Sequence, residues 1–235
     1  RDSRVLALVL VCTVSFMNVL DITVVSVALG DIGQSLGGSQ SELQWVVDAY
    51  TLPLGALLMS AATLSGSLGR LRLFRWGLVL FTVGSAVCAL APSMVVLNVF
   101  RALQAVGGAI FLGVGVPMIS DRYAAGRERA RATGIYGLIS GVAIAVGPLA
   151  GGGLVLVAGW RSIFWINVPV GVASWLASWY VKDRSADRNN SGVDWLGTLL
   201  AILAVGAVTV VLLEGSAWGW TSARTLGGVA VGLAA

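Results

Sequence analysis

Histidine is absent from the 235 residues, and only 11% of them are charged. Without histidine, the one side chain whose unperturbed pKa puts its charge change between pH 5 and 8 is missing, so proton handling falls to carboxylates. Two cysteines, Cys12 and Cys88, both inside apolar runs, supply no metal-type spacing and read as small packing residues. No phosphate-cradling loop of the Walker type occurs, and no nucleophile–base pair or set of metal ligands can be drawn. ATP-driven pumping by this chain and intramembrane catalysis are both disfavoured, and the chain does not read as an enzyme.

What is present is apolar surface. The chain is 57% hydrophobic with a mean hydropathy of +0.89, whereas soluble domains carry roughly a quarter charged residues. A hydrocarbon core needs about 20 apolar residues per helical span, and such stretches recur at about 5–29, 45–66, 73–91, 95–120, 132–158, 163–181 and 195–213, with a further one from 225 that stops at Ala235. The 31 glycines lie among apolar residues, as in tightly packed membrane helices whose interfaces favour small side chains. The fold class is all-α membrane. The first run carries Asp21 and lacks a small-residue cleavage pattern, so it reads as a retained span rather than a signal peptide.

Basic residues cluster in alternate loops: Arg1–Arg4, Arg70–Arg75, Arg122–Arg131 and Lys182–Arg188, against only Arg161 and Arg224 in the opposite set. The positive-inside rule then puts the amino terminus in the cytoplasm of a multi-pass protein of the cell membrane. Loop placement also accounts for the net charge of +4 without nucleic acid. Tryptophans such as Trp45, Trp160, Trp165, Trp175 and Trp179 fall near span ends and read as an interfacial belt.

Three charges sit inside apolar runs: Asp21, Asp48 and Arg101. Intramembrane ions are costly, and by default they face a pathway or one another. Counting at 1.5 Å per residue places Arg101 roughly 9 Å and Asp21 roughly 12 Å from the outer ends of their spans, and Asp48 near the start of its own. Asp48 can also be read as a helix-start residue near the headgroups, and the other two as structural polar contacts. Gln104, three residues after Arg101, shares its helix face. On the fifth run, Gly147-Pro148 and Gly151-Gly152 mark a bend with a thin, close-packing surface.

Taken in order, these segments resemble a known family. Leu20-Asp21-Ile22-Thr23-Val24-Val25-Ser26-Val27-Ala28-Leu29, Arg101-Ala102-Leu103-Gln104-Ala105-Val106-Gly107-Gly108 and Gly147-Pro148-Leu149-Ala150-Gly151-Gly152 are similar to the first-helix, fourth-helix and antiporter motifs of major facilitator superfamily exporters, specifically the fourteen-helix drug–proton antiporter branch. Gly159-Trp160-Arg161, Phe164-Trp165-Ile166-Asn167-Val168-Pro169 and Glu214-Gly215 also stand where that branch has them. There are departures. Ser26 and Gly30 replace the usual Asn and Pro, and Ala105 replaces a motif Gly. The loop motif between the second and third helices, normally Gly-x-Leu-Ala-Asp-Arg-x-Gly-Arg, is reduced to Gly66, Gly69 and Arg70 without its gating Asp.

The resemblance implies a six-helix amino-terminal bundle over residues 1–181, built from inverted three-helix repeats. It further implies a cytoplasmic linker over 182–193 and inserted helices over 194–235, with the carboxy-terminal bundle of the same protein lying outside this chain. The implied activity is proton-coupled antiport, exporting small hydrophobic or cationic drugs or antibiotics by alternating access, with no cofactor beyond the proton gradient. Asp21, Asp48 and Arg101 are the expected coupling residues, supported by Gln104, with Gly147, Pro148, Gly151 and Gly152 as the seam. A facilitator-type importer or uniporter of a small solute, or a non-transporting receptor or subunit, remains the alternative.

Overall fold

The computed structural model describes residues 2–182 and, beyond them, only residues 200, 204, 207, 211, 219, 221, 222, 226–228 and 230. The expected linker and inserted helices lie almost wholly outside the described residues, as does Glu214. Within the described part the elements are α1 (Asp2–Leu36), α2 (Gln40–Leu68), α3 (Arg70–Ala89), α4 (Met94–Ser120), α5 (Arg127–Ala158), α6 (Ser162–Trp165) and α7 (Asn167–Ser178). No strand occurs among the described residues. Helices α1 to α5 are each long and apolar enough to cross a membrane.

The sixth expected span is shorter than its apolar run. It covers Ser162–Ser178 and is interrupted at Ile166, ahead of Pro169. Helix α1 runs to Leu36, well past the expected end near residue 29, so Asp21 lies near its middle. Helix α2 starts at Gln40 rather than 45, because Ser39 and Glu42 form a reciprocal cap there. Asp48 therefore sits two turns inside the helix, not at its first turn. Ser93 caps α4 from one side only, accepting from the Val96 amide at 3.4 Å.

One residue joins α2 to α3. Gly69 adopts φ 91°, ψ 120°, a region that side chains with a Cβ rarely enter, and so reverses the chain with no further loop. The shortened motif leaves Gly69 as the whole link between the two helices, and Arg70 finds a carboxylate elsewhere: it pairs with Asp121 at the end of α4 and donates to the Pro117 carbonyl at 3.1 Å.

Helix α4 is the hub, packed closely against α2 and α3, while α1 packs mainly on α5 and α7 on α3. Glycines permit these approaches. A Cβ at Gly107 of α4 would lie 2.4 Å from the Phe81 backbone nitrogen of α3. At the end shared by the α1 start, the α4–α5 loop and the α7 end, basic side chains tie elements together. Arg75 donates to the hydroxyl and carbonyl of Ser178, both at 3.0 Å, and stacks on Trp179. Arg122 donates to the Lys182 carbonyl at 2.9 Å. Trp160 departs from the belt expectation: it is 4% exposed and packs edge-on against Phe164, while Trp45, Trp165 and Trp179 remain 41–59% exposed.

Candidate functional site

Arg101 is the largest fully buried side chain among the described residues, at 1% exposure. A guanidinium so placed needs acceptors for its donors and a counter-charge. Helix α1 supplies the charge: Asp21 Oδ2 lies 2.5 Å from Arg101 Nη1, with Asp21 itself 2% exposed. Helix α2 supplies a carbonyl, Val46 O, which accepts from Arg101 Nε at 3.1 Å. The Tyr50 ring, on the same helix, lies under the guanidinium at 4.1 Å, a cation–π contact in a dry setting.

Gln104, one turn on from Arg101, bridges the pair. Its Oε1 accepts from Arg101 Nη1 at 3.0 Å, and its Nε2 donates to Asp21 Oδ1 at 3.1 Å. A third donor reaches Asp21 from α7: Asn167 Nδ2 lies 2.7 Å from Oδ1 and 3.1 Å from Ser85 Oγ. Ser85, on α3, donates to the Phe164 carbonyl at 2.9 Å. Asn18 meets the Tyr50 hydroxyl at 2.6 Å. The carboxylate on α1 thus gathers side chains from α4 and α7 directly, and through them engages α2, α3 and α6.

Of the expected residues, Asp21, Arg101 and Gln104 come together. Asp48 does not join them: it is buried, and its Oδ2 has no hydrogen-bond partner among the described residues. Gly147 and Gly151 face α1, where a Cβ at Gly147 would fall 1.8 Å from Thr23 Oγ1 and one at Gly151 3.0 Å from Val24 Cγ1. Gly152 faces no atom within 4 Å. Pro148 lies between the two packing glycines within an unbroken α5. The seam is therefore an i, i+4 pair beside Asp21, not the whole glycine run. Gly66 also meets nothing within 4 Å.

Asn167, Ser85, Tyr50 and Asn18 were not expected as site residues. Asn167 carried a signal, being an amide in an otherwise apolar run two residues before Pro169. Among the described residues no group of His, Cys, Asp or Glu could hold a metal ion. The arrangement suits a buried carboxylate whose charge state is felt by several helices at once.

The chain is similar to known proteins. The model of the Major Facilitator Superfamily matches residues 11–235. The chain is 41% identical over 212 residues to multidrug resistance protein Stp of Mycobacterium tuberculosis, covering 90% of this chain and 39% of that protein. It is 35% identical over 206 residues to the methylenomycin A resistance protein of Bacillus subtilis, covering 88% of this chain and 44% of that protein. With the tetracenomycin C resistance and export protein of Streptomyces glaucescens it shares 34% over 220 residues, 93% of this chain and 41% of that protein. The chain spans about two fifths of the length of these relatives. Among solved structures, a bacterial homologue of the human lysosomal transporter Spinster superposes with a TM-score of 0.67 at 20% identity, over 100% of this chain and 60% of that one. That likeness concerns the fold alone.

Proposed function

The chain belongs to the Major Facilitator Superfamily, and from that premise we propose that it forms part of a proton-coupled antiporter exporting hydrophobic or cationic drugs or antibiotics across the cell membrane. Its relatives are named for drug and antibiotic resistance and export, which supports a small-molecule substrate. The observation that carries proton coupling is Asp21, a carboxylate buried beside one cation and two amide donors.

Ionised, Asp21 holds α1 against α4 and α7. Protonated, it loses the Coulombic hold on Arg101 and can no longer accept from every neighbour. Those helices then settle into a different packing, and alternating access needs two such packings of one bundle against the other. Asp48, buried away from this network, is a second carboxylate available to protons or to a substrate cation. The α1–α5 seam at Gly147 and Gly151 keeps Asp21 from being reached through that interface. The amino terminus is cytoplasmic on this reading, and the chain works with lipid around it and a second bundle beside it.

The test is substrate efflux from liposomes holding the full-length protein, with and without an imposed pH gradient. Export driven by the gradient in the wild type and lost in Asp21→Asn and Arg101→Ala is the expected result. Equal gradient-driven export by these variants, at wild-type expression, would remove the coupling role.

A further inference from the structure

All three side-chain partners of Asp21 approach it as donors: Arg101 Nη1 at Oδ2, and Gln104 Nε2 and Asn167 Nδ2 at Oδ1. A carboxylate welcomes this, but a carboxylic acid does not, because its new O–H needs an acceptor. The neighbours differ in their ability to provide one. Arg101 has no acceptor atom at all. Gln104 already uses its carbonyl oxygen for Arg101, and reversing its amide would set an NH2 against the guanidinium. Asn167 is the partner of Asp21 whose amide can reverse without meeting a cation.

Reversal at Asn167 has a consequence one bond away. Its Nδ2 now donates to Ser85 Oγ, whose own proton goes to the Phe164 carbonyl. With the amide reversed, Asn167 Oδ1 faces both Asp21 and Ser85, so the Ser85 proton turns toward Oδ1 and leaves Phe164. We propose that Asn167 is a positioning residue that reads the protonation state of Asp21 and passes it, through Ser85, to the Phe164 carbonyl ahead of the helix break at Ile166.

The step is balanced. One proton from solvent adds to Asp21 Oδ1, the Asn167 N–H bonds to Asp21 and Ser85 are lost, and O–H bonds from Asp21 and Ser85 to Asn167 Oδ1 replace them. The Ser85 bond to Phe164 is given up. Protonation on α1 thereby unties α3 from α6, and the Phe164 ring, 5.7 Å from the Arg101 guanidinium carbon, is carried on the released segment. The other charged and titratable groups that interact with Asp21 are Arg101 from α4, Tyr50 from α2 and Cys88 from α3. None of them supplies the acceptor, since neither tyrosine nor cysteine hydrogen-bonds the carboxylate.

This inference rests on the proton-coupled reading, so its test keeps the two apart. The protonated-carboxyl infrared band of the full-length protein is titrated and assigned to Asp21 by its loss in Asp21→Asn, and pH-gradient-driven efflux is measured on the same preparations. Asn167→Leu leaves the protonated carboxyl without the acceptor that Asn167 Oδ1 provides, so the Asp21 band should move to higher frequency than in the wild type. Asn167→Ala serves if the leucine variant does not fold. Ser85→Ala keeps the Asn167–Asp21 bond, so the band stays near its wild-type frequency while gradient-driven turnover falls and substrate KM is unchanged. A wild-type band frequency in the Asn167 variants, or wild-type turnover in Ser85→Ala, overturns the relay while leaving Asp21 as the proton site. If no titrating band disappears in Asp21→Asn, proton coupling at Asp21 itself falls, and the relay with it.

Discussion

An alanine at Gly107 probes the α3–α4 seam on which the geometry around Asp21 rests. Its Cβ would lie 2.4 Å from the Phe81 nitrogen, 2.6 Å from the Gly77 carbonyl oxygen and 2.9 Å from Phe81 Cα. These are backbone atoms, so no rotamer change relieves the overlap. Ordinary contact begins near 3.4 Å, and α3 must therefore retreat from α4 by about 1 Å in a close-packed interior. Overpacking of this kind costs about 1–3 kcal/mol, and alanine recovers up to about 1 kcal/mol over glycine in helix propensity. With backbone on the opposing side the upper half of that range applies, leaving a net loss of about 1–2 kcal/mol. Gly134 is the comparison, since a Cβ there meets nothing within 4 Å. Gly134→Ala should gain up to about 1 kcal/mol. Unfolding of both variants in mixed micelles, followed by tryptophan fluorescence, measures the difference. The functional consequence is linked, because Gly84 of α3 packs on the backbone of Gln104, with 3.0 Å from its Cβ position to Gln104 Cα. Separating the helices there pulls Ser85 and Gln104 apart, so export falls with stability. Equal stability of Gly107→Ala and Gly134→Ala would refute the contact geometry and the seam built on it.

Removing Arg101 leaves Asp21 buried and uncompensated, so Arg101→Met should destabilise by about 3–5 kcal/mol, and adding Asp21→Asn should recover part of that loss in a double-mutant cycle. Arg101→Lys keeps the charge but loses the planar fork that reaches Val46, Asp21 and Gln104 together; export should fall although the variant stays folded, as checked by unfolding and efflux side by side. The Arg70–Asp121 pair is more than a quarter exposed at both ends, so Asp121→Ala should change stability by no more than about 1 kcal/mol, with the difference shrinking at high salt. Orientation is checked by thiol labelling in a background lacking Cys12 and Cys88. An impermeant reagent should reach Ala125→Cys, in the exposed α4–α5 loop, only in inverted vesicles, and Ser41→Cys, at the exposed α2 start, only in intact cells.

The ionic half of the site was legible in the residues because charge inside an apolar run is rare enough to stand out, and Gln104 followed from helical spacing alone. The amide half was not. Asn18 and Ser85 are uncharged, and residues of their size occur throughout membrane helices, so nothing local separates them from the others; Asn167, the one of the three that bonds Asp21, stood out only as an amide in an apolar run. What selects them is tertiary: α4 lies between α2 and α3, and the break at Ile166 turns Asn167 toward α1. The glycines teach the same lesson. Gly147, Gly151, Gly152 and Gly153 are alike in sequence, yet only the first two approach α1, because residues four apart share a face and their immediate successors do not.

Asp48 shows how the two kinds of information combine. Its charge made it as visible as Asp21, and depth counting from an expected start at residue 45 put it near the interface. The capping box at Ser39 and Glu42 moves that start outward by more than a turn, which turns an interfacial carboxylate into a buried one whose Oδ2 has no partner among the described residues. An unsatisfied buried acceptor is unfavourable unless something occupies it in another state. Asp48→Asn separates the possibilities. If Asp48 takes up a proton or a substrate cation during export, the variant should keep or gain stability, by up to about 1–3 kcal/mol, and lose gradient-driven efflux. If Asp48 is only a structural residue, stability rises in the same way and efflux is untouched, which would leave Asp21 as the single coupling carboxylate of the chain.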